Sequence, residues 1–309
     1  MDLRLWHARF REYLQIVRQW TPNTVETYTR ELRPFFEFLV ARPGWTSLSG
    51  LTREVLEEYR TSLFYAKYHN QHLSLSTQNL KFCAIKAFAR FLFRNNYLLL
   101  DITQHLESSK RGKALPRVIL SESETLRLLE APDPHTPKGL RDRAAMEVFY
   151  GSGIRNSELR SLLLDCVDFD RRVLQIECGK GRKARVVPLG EEAEIWLGEY
   201  LHKGRPLMVR DPSERHVFLS QRGYVLSRQY MAQLVRLYAK KIGLDKVVTP
   251  HVLRHCCATH MLRRGAGLRH LQALLGHESL DTTGIYTRIE VSDLAEVIQR
   301  CHPRERPET

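Results

Sequence analysis

Apolar residues recur at steps of three and four through the first hundred residues of this 309-residue chain. Thr21 and Pro22 supply a side-chain cap and a proline at the first helical position, and the apolar stripe after them predicts an amphipathic helix that ends before Pro43. Three comparable stripes occur: one at the start of the chain, one that includes Val55, and one that begins near Ser76. The first part is therefore predicted to hold about four helices, with its aromatic residues in a core rather than serving as platforms for stacked bases.

The second part of the chain combines helices with one stretch of period two. A capping box at Ser121–Glu124 begins its first helix, and a second helix is predicted from about Gly139 to Tyr150. From Cys166 polar and apolar residues alternate up to a turn at 179–182, which predicts a β-hairpin with basic residues at its tip. Further helices are predicted near 192–201, 229–242, 254–264, 268–275 and 292–300.

A basic stretch, Ser108–Leu120, separates the two parts and contains no acidic residue. With its glycine and proline, this composition is typical of an exposed linker. We therefore expect a helical domain at 1–109, a linker at 110–120 and a second domain at 121–309. The basic residues near the start of the linker are Lys110, Arg111 and Lys113.

The charge balance favours a polyanionic partner. Lys and Arg number 48 and Asp and Glu 35, so the formal net charge is +13, and both parts of the chain are basic. Nucleic acid is preferred over a membrane surface, and a merely basic solvated surface is the alternative. The sequence has no apolar run long enough to cross a bilayer, no signal-peptide core and no C-x-x-C spacing. We expect a cytoplasmic protein with reduced thiols.

Arg155 and Glu158 belong to the first of four unusual polar segments. Its G-x-G pattern lacks the other elements of a nucleotide site, but the spacing of three places the Arg155 guanidinium beside the Glu158 carboxylate on a helix. Alone, such a pair is more often structural. The four segments are Gly151–Leu159, Gly179–Leu189, His251–His260 and Leu274–Arg288.

The third segment holds two His and two Cys residues but does not have the spacing of a metal site. Adjacent Cys256 and Cys257 point to different faces of a helix, and H-E-x-x-H is absent. The spacing instead places His251 and Arg254 on one face at the start of a helix, where a titratable donor and a cation meet. The alternative for His251 is a helix cap with a satisfied imidazole.

In the fourth segment an apolar stripe ends at Gly276 and exposes His277, and Tyr286 follows nine residues later. Alone, this tyrosine would be a core or surface residue. Combined in one basic protein, the polar residues match what metal-free phosphodiester chemistry requires: cations and imidazoles for the transition-state charge, a tyrosine nucleophile and a proton donor. We expect neither a metal nor a cofactor. The set is Arg155, Lys180, His251, Arg254, His277 and Tyr286.

These motifs resemble, in order and spacing, those of the tyrosine recombinase (phage integrase) family, most closely its Xer-like branch. They are G-x-R-x-x-E-L, the G-K-G hairpin, H-x-L-R-H, L-L-G-H and I-Y-T-R, and TPNTVETYTRELRPFFEFL resembles the family's core-binding segment. The resemblance implies a mainly α fold: a helical SAM-like core-binding domain, then a mixed α/β catalytic domain that is mostly α with a small antiparallel sheet.

The resemblance also implies a role for each residue. Tyr286 attacks the scissile phosphate, forms a 3′-phosphotyrosyl link and releases a 5′-hydroxyl. Arg155, Arg254 and His277 bind the non-bridging oxygens, and Lys180 protonates the leaving oxygen. His251 handles protons at the tyrosine, and Glu158 keeps the site in shape. Three departures from the family pattern stand out: Asn156, the Cys256–Cys257 pair and Gly284.

At the level of assembly, the resemblance implies site-specific recombination between paired sites in duplex DNA through a Holliday junction. Four protomers are expected to hold the DNA between their domains. The tetramer is either made of one protein or shared with a second recombinase. The helix at 292–300 is expected to dock on a neighbour, with packing on its own chain as the alternative. A bacterial, nucleoid-associated location is implied.

We expect DNA contacts from Lys110, Arg111, Lys113, Arg182 and Lys183. A DNA-binding accessory protein without cleavage and a type IB topoisomerase-like enzyme are the alternative functions.

Overall fold

A computed structural model describes residues 3–68, 70–104, 106, 119–176, 184–276 and 291–305. The chain forms two compact units, Met1–Leu115 and Pro116–Thr309. Among the described residues, none of the helices combines the length and the apolar character needed to cross a bilayer.

The described residues of the first unit form four α-helices, as predicted. The first continues as a π-helix over Tyr13–Val17, and a short antiparallel pair of strands lies between the third and fourth. The elements are α1 (Leu3–Glu12), α2 (Pro22–Ala41), α3 (Arg53–Tyr65), β1 (Lys67–Tyr68), β2 (Gln71–His72) and α4 (Leu75–Arg94).

Side-chain caps set where these helices begin. Thr21 Oγ1 accepts a hydrogen bond from Thr24 N at 3.4 Å, so the predicted cap of α2 is confirmed. The start of α4 was predicted too late, because Ser74 is its cap and accepts from Thr77 N at 3.2 Å.

The core of the first unit is aromatic. Phe10, Phe35 and Phe88 are fully buried, and the rings of Phe10 and Phe88 meet edge to face at 5.4 Å between centroids. The interpretation of these stripes as core is confirmed.

The second unit is mainly helical with a three-stranded antiparallel sheet of order β3-β4-β5. The predicted hairpin is β4 and β5, in which Ile176 pairs with Arg185. The third strand, β3, was not predicted. The elements are α5 (Glu122–Glu130), α6 (Pro137–Ser152), α7 (Asn156–Ser161), β3 (Val167–Asp168), β4 (Val173–Ile176), β5 (Arg185–Pro188), α8 (Glu191–Glu199), α9 (Tyr230–Lys241), α10 (Pro250–Arg263), α11 (Leu268–Leu275) and α12 (Val291–Cys301).

Helix α6 lies at the centre of this unit and is buried from Gly139 to Ser152. It begins two residues before the predicted start, because Thr136 Oγ1 accepts a hydrogen bond from Gly139 N at 3.0 Å. It packs against α8 and α10. Its one buried aspartate, Asp142, accepts hydrogen bonds from side chains on three sides, so the charge is satisfied. The donors are Arg141, Tyr230 and Tyr238.

The last helix, α12, packs on its own chain. Leu294, Val297 and Ile298 are buried, and the helix contacts α10, α11 and β5 of the same unit. The apolar face that we expected to dock on a neighbour is therefore covered from within the chain in this structure, which is the alternative stated above.

Candidate active site

Three helix ends, one helix turn and one strand bring the polar residues of the motifs together. Gly153 is the C-cap of α6, Arg155 is the N-cap of α7, and Gly276 is the C-cap of α11. Arg254 lies in the second turn of α10, and Arg185 is the first residue of β5. Helix ends leave backbone groups without partners inside the helix, so side chains can bind there.

Glu158, in the first turn of α7, holds Arg155 at the start of that helix through both oxygens of its carboxylate. Glu158 Oε2 accepts from the backbone N of Arg155 at 2.7 Å, and Oε1 accepts from Arg155 Nη1 at 2.8 Å. Arg155 Nη2 donates to the carbonyl oxygen of Gly276. The predicted contact between this guanidinium and carboxylate is confirmed, and the backbone contact adds an anchor at the end of α11.

A second arginine shares the same carboxylate. Arg185 Nη1 donates to Glu158 Oε1 at 2.9 Å and Nη2 donates to Oε2 at 2.8 Å, which is a bidentate pair. The Glu158 side chain is 9% exposed. Burial alone would raise its pKa, but the hydrogen bonds from Arg185 and Arg155 lower the pKa of Glu158 to about 2. The carboxylate is therefore ionised throughout the neutral range.

Sequence analysis did not identify Arg185. The signal was a charged residue at the start of a predicted strand that continues as Val186, Val187, Pro188 and Leu189. In the sequence it is one of several basic residues of the predicted hairpin. Only the fold reveals its partner, which lies 27 residues away in sequence.

Arg254 is fastened by two backbone carbonyls. Its Nη1 donates to Gly153 O and its Nη2 to Leu275 O, both at 2.6 Å. Burial, and then the nearby Arg155 cation, lower the pKa of Arg254 to about 10, so the guanidinium stays charged at neutral pH. Arg254 thereby joins the ends of α6 and α11.

Two glycines allow these close approaches. Gly153 and Gly276 have φ values of +58° and +62°, in the left-handed region that glycine adopts without strain. A Cβ at Gly276 would lie 3.1 Å from the Arg185 guanidinium carbon, and one at Gly153 would lie 3.0 Å from Leu275 Cδ2. The glycine at each helix end thus leaves space for a neighbouring side chain.

The cluster of Arg155, Arg185, Arg254 and Glu158 combines three guanidinium groups with one carboxylate. It is therefore positively charged at neutral pH, and its cations are held by hydrogen bonds before any ligand arrives. Pre-organised cations of this kind stabilise negative charge that develops on a bound group.

His251 lies on exposed surface at the second position of α10, one turn before Arg254. The cap of this helix is Thr249, whose Oγ1 accepts from Val252 N at 3.3 Å, so the alternative in which His251 caps the helix is wrong. Eight other predicted site residues lie outside the described residues. They are Lys110, Arg111, Lys113, Lys180, Arg182, Lys183, His277 and Tyr286.

Two of the departures from the family pattern, Asn156 and the Cys256–Cys257 pair, lie among the described residues, and Gly284 lies outside them. Cys257 is fully buried beneath Gly153, where a Cβ would lie 3.5 Å from its Sγ, and Cys256 Sγ accepts a hydrogen bond from Leu120 N at 3.2 Å. Asn156 Nδ2 donates to Arg228 O at 3.1 Å. In the described part of the chain, His, Cys, Asp and Glu side chains form no group of three that could hold a metal ion.

Comparison with known proteins places both units in one family. The phage integrase family matches residues 119–292, and the phage integrase N-terminal SAM-like domain matches residues 8–96. Tyrosine recombinase XerC 2 of Ralstonia nicotianae is 38% identical over 97% of this chain and 86% of its own length. Tyrosine recombinase XerC of Oceanobacillus iheyensis is 37% identical over 98% of this chain and 97% of its own length.

A solved structure has the same fold. The structure of a lambda integrase tetramer bound to a Holliday junction matches 94% of this chain and 80% of its own, with a TM-score of 0.68 and 18% identity. The helical N-terminal unit followed by a mostly helical unit with a small antiparallel sheet is thus the predicted fold. The chain belongs to the phage integrase family of tyrosine recombinases, enzymes that break and rejoin DNA in site-specific recombination.

Proposed function

We propose that Arg155 and Arg254 bind the scissile phosphate of duplex DNA and that Tyr286 attacks it to form a 3′-phosphotyrosyl intermediate. The observation that carries this proposal is the positively charged cluster at the meeting point of α6, α7, α10 and α11, where both guanidiniums are fixed by hydrogen bonds. The motifs that build this cluster lie on either side of Lys180 in sequence, and all of them precede Tyr286.

In the proposed reaction, the bond from phosphorus to the 5′-oxygen breaks as the bond to the tyrosine oxygen forms. Negative charge grows on the non-bridging oxygens, where each fixed donor accelerates the step by about 10²- to 10³-fold. Lys180 gives a proton to the leaving 5′-oxygen, His277 donates to a non-bridging oxygen, and His251 handles the tyrosine proton. The phosphotyrosyl bond conserves the energy of the phosphodiester, so a partner strand can reverse the step without ATP.

We further propose that four copies act on two paired DNA sites through a Holliday junction. The matched lambda integrase tetramer on such a junction supports this assembly. Domains at 1–109 and 121–309, the linker at 110–120 and trans docking of α12 belong to the same proposal. If α12 docks on a neighbouring protomer, the contacts that it makes with its own chain are replaced by equivalent contacts with that protomer. DNA backbone contacts are proposed for Lys110, Arg111, Lys113, Arg182 and Lys183.

Covalent capture on nicked duplexes tests the proposed chemistry. A pool of nicked DNA fragments of varied sequence lets the short 5′-hydroxyl strand diffuse away after cleavage, so the protein stays joined to the DNA. We expect adducts with the wild type and none with Tyr286→Phe, which retains binding. EDTA should leave the adduct yield unchanged. An adduct that survives Tyr286→Phe would contradict the assigned nucleophile, and sequencing the captured DNA would identify the site.

A plasmid assay separates recombination from relaxation. A supercoiled plasmid that carries two copies of the captured site should yield recombinant circles. Relaxation without exchange would favour a topoisomerase-like activity, and binding without either product would favour an accessory protein.

A further inference from the structure

We propose that Arg185 is a positioning residue of the active site, which holds the Glu158 carboxylate and through it the orientation of Arg155. The inference rests on the proposed function, because Arg155 is the residue whose contact with the phosphate is at stake.

The Glu158 carboxylate has a hydrogen-bond donor at every acceptor position. Oε1 accepts from Arg155 Nη1 and Arg185 Nη1, and Oε2 accepts from the Arg155 backbone N and Arg185 Nη2. A carboxylate has about four lone-pair sites, and these four hydrogen bonds occupy them. Glu158 is therefore fixed from two sides, by its own helix and by β5. Arg185 supplies the half of this restraint that α7 does not.

Arg185 lies against Glu158 and against the end of α11. Both of its Nη atoms point to Glu158, and its side chain is 15% exposed, against 27% for Arg155. A Cβ on Gly276 would lie 3.1 Å from its guanidinium carbon, so the end of α11 closes over Arg185. Arg155 is the more exposed arginine of the pair and is therefore the one placed to contact a phosphate. Arg185 supports it through Glu158.

Loss of Arg185 should change the pKa of Glu158 and, through it, the pH dependence of cleavage. Among the described residues, the charged groups that face Glu158 are Arg155 at the start of α7, Arg185 from β5 and Arg254 from α10. Without Arg185, burial is opposed by fewer hydrogen bonds, so the pKa of Glu158 rises and its protonated fraction grows as the pH falls. Arg155 then loses its partner at acidic pH. The cleavage deficit of Arg185→Gln should therefore increase from about pH 8 to about pH 5.

The kinetic experiment measures the rate of adduct formation on a captured nicked duplex, and the Kd for that duplex, in four proteins: wild type, Arg185→Gln, Glu158→Gln and the double variant. We expect Arg185→Gln to slow adduct formation by about 100-fold, as misplacement of a catalytic group does, with little change in Kd. The double variant should be no slower than Glu158→Gln, because both changes remove one restraint. Arg185→Lys should recover only part of the rate. The ammonium keeps the positive charge, but it cannot span both oxygens of Glu158.

Arg172→Gln is the matched control. Arg172 directly precedes β4 of the same sheet, and its Nε lies 3.0 Å from Glu194 Oε2 with the arginine side chain 64% exposed. We expect wild-type rates from this variant. If the losses from Arg185→Gln and Glu158→Gln multiply in the double variant, or if Kd rises in step with the loss of rate, Arg185 contacts the DNA directly and the proposal is wrong.

A second measurement separates this inference from the proposed function. An absence of wild-type adducts would overturn the proposed function alone, whereas urea unfolding tests Arg185 without DNA. The lowered pKa of Glu158 contributes stability that is present above its ordinary pKa and is lost as the pH falls towards 2. Arg185→Gln removes part of that contribution, so its deficit in unfolding midpoint should shrink from about pH 6 to about pH 3. A deficit that is constant with pH would overturn the assigned role.

Discussion

Gly276 shows how one residue without a side chain can serve an active site. Its φ of +62° ends α11, its carbonyl accepts from Arg155, and its missing Cβ leaves room for the Arg185 guanidinium. Gly153 shares the positive φ and a carbonyl that accepts from an arginine, so the space for a guanidinium is what distinguishes Gly276 from it.

Gly276→Ala and Gly243→Ala separate backbone strain from the effect on the site. Gly243 follows α9 with a φ of +70°, and a Cβ there meets no atom within 4 Å. Each substitution should lower the free energy of unfolding by about 1–2 kcal/mol, because alanine is strained in the left-handed region. Only Gly276→Ala should also slow adduct formation, since its Cβ displaces Arg185. Equal adduct rates in the two variants would show that the space at Gly276 does not matter.

At the scale of elements, the segment after α12 fastens the helix to its own unit. Arg304 Nε donates to Glu147 Oε2 at 3.0 Å and Nη2 donates to Oε1 at 2.6 Å, where Glu147 on α6 is 1% exposed. The same Nη2 reaches Glu192 Oε2 on α8 at 3.1 Å. One arginine thus joins the end of the described chain to two helices of the core, and trans docking of α12 would have to break or re-form these contacts.

Arg304→Gln should destabilise the protein markedly. Removing one partner of a buried ion pair leaves a buried charge behind, and the loss should be about 3 kcal/mol, the lower end of the range for such pairs. We expect the lower end because Arg143 Nε remains 3.6 Å from Glu147 Oε1. Arg300→Gln is the control, since its pair with Glu296 is exposed and spans 3.9 Å. Similar urea midpoints for the two variants would contradict a stabilising role for the tail.

The elements predicted from sequence are those with a long period or a strong cap. Helix α2 is predictable because its apolar spacing repeats over 20 residues, and the β4–β5 hairpin because residues of alternating polarity lead into a glycine-containing turn. Strands β1, β2 and β3 have two residues each, so no alternation can show in them. At the site, the pair of Arg155 and Glu158 followed from a spacing of three. Arg185 did not, because contacts between residues far apart in sequence depend on how the sheet packs against the helices.

At the scale of the whole molecule, the net charge of +13 exceeds what one phosphate site needs. Three arginines and a glutamate account for the described cluster, and basic residues occur in both units. The excess fits a protein that neutralises many phosphates along a duplex.

Salt dependence tests this use of charge. If six to ten phosphates are contacted, raising the salt concentration from about 50 to about 200 mM should weaken DNA binding by about 10³- to 10⁵-fold, because condensed counterions are released on binding. Fluorescence anisotropy with a labelled duplex measures the slope. A Kd that barely changes over this range would contradict extensive backbone contact.

The end of α11 also has a consequence for protein engineering. Arg254 donates to Leu275 O and Arg155 to Gly276 O, and the chain continues from there directly into His277. Each guanidinium therefore has one of its anchors in the two peptide units that precede the tyrosine-bearing segment in sequence. A chimaera that grafts this segment from a relative should place its junction after Gly276, because a junction inside α11 would change the geometry of the arginines together with the proposed nucleophile, Tyr286.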